Sequence, residues 1–480
     1  MPQFFQMQDL GAIVPELELA VFGMFLLIFD LVVEEKRKLG LIALLGIGFS
    51  AFFLFRLRGV EFSAYGGVLS LDPFAIFFKL IFLIAAALSI AISLKYLDIE
   101  RENHGEYYAL ILFATMGMMF MAGAVDLVTL YIGLETMAIS TYILVGFLRN
   151  NQRSNEASLK YFLLGAFSSG ILLYGMSLLY GIAGSTRFVD IAEALSRRSA
   201  HDPISLMAMI TLSAGMFFKI AAVPFHQWSP DAYEGAPTSI TAYMSVAVKA
   251  ASFAMMVRVF MVAIYPLRPE WVTVMSAISI MTMTVGNIAA ITQSNVKRML
   301  AYSSISHAGY ILIGFIAGNE TGMTAVALYL LIYTFTNIGV WAIIVALRRR
   351  DVIGEHIDDM AGLFFKHPTA AVIMLIFLLS LAGIPPTAGF IAKYYLFAAA
   401  IETGHNVLAV IAVLNAAISV YFYFRIVVSM FMRDATEKTG LTFAPGLNVA
   451  LGVAIIFTML IGVYPDPFIA LAKYAVPLGF

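Results

Sequence analysis

Apolar residues run along this chain in stretches of about 20, separated by short clusters of charged residues, Gly and Pro. A helix on the surface of a soluble domain shows one apolar stripe and one polar face, whereas these stretches are apolar all round, as a bilayer demands. At 1.5 Å rise per residue, about 20 residues cross the hydrocarbon. That rule places fourteen candidate spanning helices near 12–32, 39–57, 74–94, 107–123, 126–148, 157–182, 204–222, 238–263, 271–292, 298–317, 322–347, 368–401, 406–432 and 447–464. The fold class expected is an all-α integral membrane protein, one bundle rather than the three soluble domains that 480 residues could fill.

Landmarks recur along the bundle. "TYILVGF" (141–147) and "GYILIGF" (309–315) nearly repeat at an offset of 168, and "AAVPF" (221–225) and "AGIPP" (382–386) punctuate the seventh and twelfth candidates. Matching landmarks five helices apart predict two copies of one unit, helices 4–8 and 9–13. Because five is odd, the copies enter the membrane from opposite sides. The expected organisation is residues 1–105 for three leading helices, 106–265 and 266–435 for the two inverted units, and 436–480 for the last helix and tail.

Lys and Arg fall unevenly between alternate connections. Fifteen, among them Lys36, Arg149, Arg153, Lys297, Arg298, Arg350 and Lys438, lie on one side and eight on the other, so the first side is expected to be cytoplasmic and both termini outside. The first apolar stretch has no basic region before it and is followed by "EEKRK" (34–38), which favours a retained helix over a cleaved leader.

Composition removes several function classes. A formal net charge of -1 gives no electrostatic reason to expect nucleic acid or an acidic substrate. The absence of cysteine excludes a thiolate-held iron–sulfur cluster and any disulfide, and no cofactor is predicted. "GIGFSA" (46–51) fits a loose dinucleotide pattern but sits in a helical apolar run with no strand before it.

Chemistry concentrates in six basic residues inside apolar stretches: Lys79, Lys160, Lys219, Lys249, Lys393 and Arg425. A charge at the bilayer centre costs about 2.5–3.5 kcal/mol even on the lenient scale. In "FFKIAAVPFHQWSPDAYEGAP" (217–237), Lys219 precedes Pro224, which lacks an N–H and breaks the helix. Broken backbone at membrane depth is tolerated where it lines water or protein. His226, Gln227, Ser229, Asp231 and Glu234 are therefore expected to form a hydrated vestibule leading to Lys219. Lys249 is too deep to reach an interface, and Lys393 follows a second break at Pro385 and Pro386. Glu135 is expected to pair with one of the buried lysines. Lys79 and Arg425, within two turns of helix ends, are expected to snorkel, and Lys160 has a surface pairing with Glu156 as a rival reading. For His307, packing of a helix through Ser, Ala and Gly explains its surroundings at least as well as a proton relay.

Lysines and a carboxylate suit proton transfer. A dry amine loses affinity for its proton and a nearby carboxylate restores it. A swing of about 3 pKa units is worth about 4 kcal/mol, against about 3.5 kcal/mol for one charge crossing 150 mV.

These stretches, with "LETMAISTYILVGF", "FKIAAVPFHQWSPDAYEGAPTSITAYMSVAVKAA", "NVKRMLAYSSISHAGYILIGF" and "GIPPTAGFIAKYYLF", resemble the antiporter-like membrane subunits of respiratory complex I over nearly the whole chain. The resemblance implies a proton-translocating subunit of a quinone-reducing enzyme in a bacterial inner membrane, in which Glu135 tunes Lys219, Lys249 is the central lysine, Lys393 stands beside the outward exit, Lys160 is the helix 6 lysine and His226 helps protons enter. It also implies that NADH, flavin, iron–sulfur clusters and quinone are handled by partner subunits: sister antiporter-like chains, small membrane subunits and a peripheral arm. Within the family, Lys393 stands where one sister carries glutamate, and about 16 residues follow the last helix, too few for the long lateral helix of another. An Mrp-type cation/proton antiporter subunit is the main rival, followed by an independent solute transporter and an assembly scaffold.

Overall fold

The structure is a computed structural model and describes residues 7–199, 201–349, 354–435 and 440–476, so Arg350 and Lys438 of the basic set lie outside the described residues. The chain begins α1 (Met7–Phe29), α2 (Arg37–Arg56), a small hairpin β1 (Phe62–Ala64) and β2 (Leu69–Leu71), then α3 (Pro73–Glu100). There follow α4 (Gly105–Gly123), α5 (Leu127–Val145), α6 (Gln152–Ala183), the short α7 (Phe188–Ser196), α8 (Pro203–Lys219) and α9 (Trp228–Gly235). α10 (Thr238–Tyr243) and α11 (Lys249–Arg258) form one rod with π-helical segments at Met244–Val248 and Val259–Ala263. The remainder is α12 (Arg268–Ile291), α13 (Val296–Ala317), α14 (Glu320–Leu347), α15 (Leu363–Lys366), α16 (Pro368–Ala382), α17 (Ala388–Glu402), α18 (Asn406–Met432), α19 (Pro445–Val463) and α20 (Asp466–Tyr474).

Helices occupy every predicted stretch. Among the described residues twelve spans are long and apolar enough to cross a membrane, and two more apolar helices, α8 and α16, are shorter because they stop at the breaks. The rod α10–α11, α13 and α14 are buried almost throughout, whereas α1, α2, α6, α18 and α19 expose rows of Leu, Ile, Val and Phe outward. The lysines of interest therefore sit on or against the innermost helices. Asp126 caps α5 by accepting from the amides of Val128 (2.8 Å) and Thr129 (3.2 Å), as its position predicts.

Both breaks have the same helix ending. At the first, the Ala222 amide bonds the Phe217 carbonyl (2.9 Å) and the Ala221 amide bonds Phe218 (3.0 Å), with Ala221 left-handed at φ 57°. At the second, Ile384 bonds Leu379 and Gly383 bonds Ser380, both at 3.0 Å, with Gly383 left-handed at φ 85°. This paired closure ends a helix while satisfying two of its last carbonyls. Alanine carries a steric cost in that conformation that glycine does not. A prolyl cis peptide follows each, at Val223–Pro224 and Pro385–Pro386.

Small residues set the closest helix contacts. A Cβ on Gly117 of α4 would lie 2.6 Å from the Gly133 carbonyl oxygen of α5, and one on Gly133 would lie 2.8 Å from that of Gly117. These two glycines let the backbones of α4 and α5 touch, which fixes the helix that carries Glu135 and Tyr142.

Of the two residues expected to snorkel, Lys79 does otherwise. Lys79 is fully buried and pairs with Glu16 of α1 at 2.5 Å. Six residues into α3, its amine is enclosed by neighbouring helices and takes a counter-ion instead of water. Arg425 crosses to the end of α12, donating through Nη1 to the carbonyls of Ile291 and of Gln293 (3.2 Å).

Candidate functional site

Lys249, His307 and Lys393 meet along one helix. Lys249 Nζ donates to the Ser304 carbonyl of α13 at 2.5 Å, and Lys393 Nζ stands 4.9 Å from the ring centre of Tyr310 on the same helix. Ser304, His307 and Tyr310 follow each other at intervals of three and so lie near one face of α13. The His307 ring bonds the Tyr329 hydroxyl through Nδ1 (2.6 Å) and the Tyr423 hydroxyl through Nε2 (3.1 Å). The three side chains are 3%, 3% and 4% exposed, so an imidazole held by two tyrosines lies between the α13 contacts of two amines deep in the bundle. A cavity of about 10 Å³ lined by His307, Tyr333, Thr336 and Ser380 has room for about one water.

The second break explains where the Lys393 amine goes. α16 ends with unpaired carbonyls at the negative end of its dipole, and Lys393 Nζ donates to Leu381 (3.1 Å) and Ala382 (2.8 Å). The first break is sealed differently: Trp228 Nε1 donates to the Phe218 carbonyl at 2.9 Å and Thr282 Oγ1 accepts from the Val223 amide at 3.0 Å. Protein groups satisfy this backbone.

Lys219 is 5% exposed, with Nζ 3.3 Å from Ser169 Oγ and 3.4 Å from the Tyr142 hydroxyl. The expected ion pair with Glu135 is not formed: among the described residues no salt bridge reaches Glu135, which is half-buried with one carboxylate oxygen, Oε1, enclosed and without a hydrogen-bond partner. Tyr142 lies seven residues beyond Glu135 on α5, and its hydroxyl takes the place next to the amine. The Lys219 carbonyl in turn accepts from Ser252 at 3.5 Å, one turn beyond Lys249 on α11.

The other predicted residues form a separate outer group. Lys160 is exposed and pairs with Glu156 (2.7 Å) and with Asp231 of α9 (3.0 Å), so the surface reading of its charge holds alongside a contact to the broken helix. Arg298 of α13 holds Asp231 (2.7 Å) and Glu234 (3.0 Å) together. Cavities of about 340 Å³ and 210 Å³ flank Glu234, the second also lined by Lys160 and Asp231. Lys219 lines neither. Of the five polar residues after the break, Asp231 and Glu234 thus face these cavities, Ser229 is buried, and Gln227 lines a third, mainly apolar cavity with Phe167 and Pro224. His226 is half-buried and its Nδ1 has no hydrogen-bond partner.

Sequence reasoning undervalued His307 and missed Tyr142 and Glu16. The i, i+3 spacing of Ser304, His307 and Tyr310 was available as a signal, whereas the Glu16–Lys79 pairing joins helices 63 residues apart and left none.

Broken helices carrying buried amines within an all-helical membrane bundle define an ion-translocating type of membrane protein. The chain belongs to the NADH:quinone oxidoreductase/Mrp antiporter transmembrane family, whose model matches residues 124–419. It is 52% identical over 482 residues to NADH-quinone oxidoreductase subunit N 2 of Solibacter usitatus, covering 98% of each chain. A chain of respiratory complex I from Thermus thermophilus, solved with bound aureothin, superposes with a TM-score of 0.81 at 30% identity over 96% of this chain and 100% of that one. A chain of the Mrp complex from Dietzia sp. shares the fold, with a TM-score of 0.86 at 20% identity over 98% of this chain and 97% of that one.

Proposed function

We propose that the chain is a proton-translocating membrane subunit of NADH-quinone oxidoreductase, of the subunit N kind, and that Lys219, Lys249, His307 and Lys393 pass protons across its mid-depth. The observation that carries this reading is the convergence of Lys249, His307 and Lys393 on one face of α13 within two helical turns. Redox chemistry resides in partner subunits, in keeping with a chain that has no cysteine. As an enzyme, the chain acts only as part of that complex.

In this account protons are gathered at the Lys160, Asp231, Arg298 and Glu234 group, with His226 nearby on the broken segment. Glu135 acts on Lys219 through space and through Tyr142, without direct pairing. Hydrogen bonds to the Ser304, Leu381 and Ala382 carbonyls offset part of the cost of keeping amines in hydrocarbon. They hold an amine in either protonation state, since a neutral amine also donates.

Two further points belong to the same reading. Residues 106–265 and 266–435 are inverted copies, supported by the shared helix ending at the two breaks. Both termini face away from the cytoplasm, supported by the uneven distribution of Lys and Arg.

The test is Lys249→Met in the assembled, reconstituted complex. The reading expects NADH oxidation to continue with fewer protons moved per electron; an unchanged ratio rejects it. Co-purification with flavin and iron–sulfur proteins separates it from the Mrp alternative, which predicts membrane partners without redox centres.

A further inference from the structure

Arg425 presents an electrostatic problem that the proton-transfer site does not solve. It lies seven residues before the end of α18, about 10 Å along the axis from the helix terminus, and it is half-buried. Guanidinium stays charged at any physiological pH. Yet no carboxylate among the described residues pairs with it: its hydrogen bonds run from Nη1 to two backbone carbonyls, and Asp358, the acidic residue on the same cavity, is taken by Arg433 at 2.6 Å. Two carbonyls offset part of this charge and leave guanidinium donors free, so the site favours an anion.

The surroundings say which anion. Arg425 and Arg433 line a cavity of about 410 Å³, together with His356, Tyr421, Phe424 and Val428. Tyr421, Phe424 and Val428 are 60%, 38% and 40% exposed and form an outward stripe along α18 directly beside Arg425. One wall thus carries the unpaired charge of Arg425, and an apolar track leads from it along the helix toward the hydrocarbon. The basic residues also place this end of α18 on the side rich in Lys and Arg, where anionic lipids recruit such pockets.

We propose that this cavity binds the phosphodiester headgroup of an anionic phospholipid, with Arg425 as its cation, Arg433 staying paired with Asp358 at the rim, and the acyl chains lying along Tyr421, Phe424 and Val428. A free phosphate would satisfy the charge but leave the apolar stripe unused. Arginine suits the task because its planar fork can hold two carbonyls through one nitrogen while other N–H groups remain for phosphate oxygens.

The experiment uses the intact complex in nanodiscs containing phosphatidylglycerol with a photoreactive acyl chain, and reads labelling of the α18 peptide by mass spectrometry. Labelling of wild type is expected, competed by unlabelled phosphatidylglycerol and far less by phosphatidylcholine. Arg425→Gln is expected to lower it about tenfold, the weight of one charge-assisted contact of about 1.4 kcal/mol, while Arg425→Lys retains part. Equal competition by phosphatidylcholine overturns the proposal, as does full labelling in Arg425→Gln. Competition by millimolar inorganic phosphate assigns the site to a small anion and overturns the lipid. The competition arms use wild-type protein, so they decide the matter even if a variant fails to assemble.

Discussion

Lys249 donates to the Ser304 carbonyl of α13 at 2.5 Å, one turn before His307, whose ring is enclosed by tyrosine hydroxyls on the way to Lys393. His307 is thereby the only imidazole on the face of α13 that both amines reach. Replacing it with phenylalanine keeps an aromatic ring and removes both ring nitrogens. His307→Phe is expected to reduce proton transfer by about a hundredfold, the low end of what a positioned acid–base group supplies. Single-turnover proton uptake and release in reconstituted complex checks this, with NADH oxidation as the assembly control.

Tyr142 stands where direct pairing of Glu135 with Lys219 was expected. If the carboxylate acts partly through this hydroxyl, Tyr142→Phe is expected to lower the proton-to-electron ratio in the same direction as Glu135→Gln. The double variant should then lose less than the sum of the two, because they share one route. Fully additive losses contradict the shared route.

The Glu16–Lys79 pair predicts a stability effect with no pumping signature. Both side chains are 0% exposed, so Lys79→Met leaves a buried carboxylate unpaired and is expected to destabilise the assembled protein by about 3–5 kcal/mol. Glu16→Leu combined with Lys79→Met removes both charges and is expected to recover most of that loss. Thermal denaturation of the three variants measures the difference. A double variant as unstable as the single one contradicts the pairing.

Arg298 holds two carboxylates of α9 where each partner is about 30% exposed, so its worth to stability is small and screened by salt. Arg298→Gln is therefore expected to shift denaturation little, by under about 1 kcal/mol. Its effect should fall on the rate of proton uptake instead, and should shrink as ionic strength rises. Uptake that is slowed equally at low and high salt argues against an electrostatic role for this group.

Much of the fold could be read from the pattern of apolar stretches, because a bilayer imposes length and all-round hydrophobicity on each helix. Both breaks were visible as prolines. What sequence could not show was how each break is satisfied. Pro224 predicts loosened backbone, but the Thr282 contact that helps seal it comes from α12, 59 residues beyond Val223 in the chain. The same holds for charges: Lys79 reads as a snorkelling residue until α1 supplies Glu16. Lys219, Lys249 and Lys393 were legible as costly charges, whereas Tyr142 and His307 were masked by the ordinary frequency of aromatic and polar residues in helix packing.

In the proposed mechanism Lys249 and Lys393 act in one conduit, in series. The most direct measurement is the proton-to-electron ratio of reconstituted complexes carrying Lys249→Met, Lys393→Met and both. In a series path, either single change already abolishes the contribution of this chain, and the double variant moves as many protons per electron as each single one. A double variant that loses clearly more than either single change, or single variants that pump as wild type does, contradicts it.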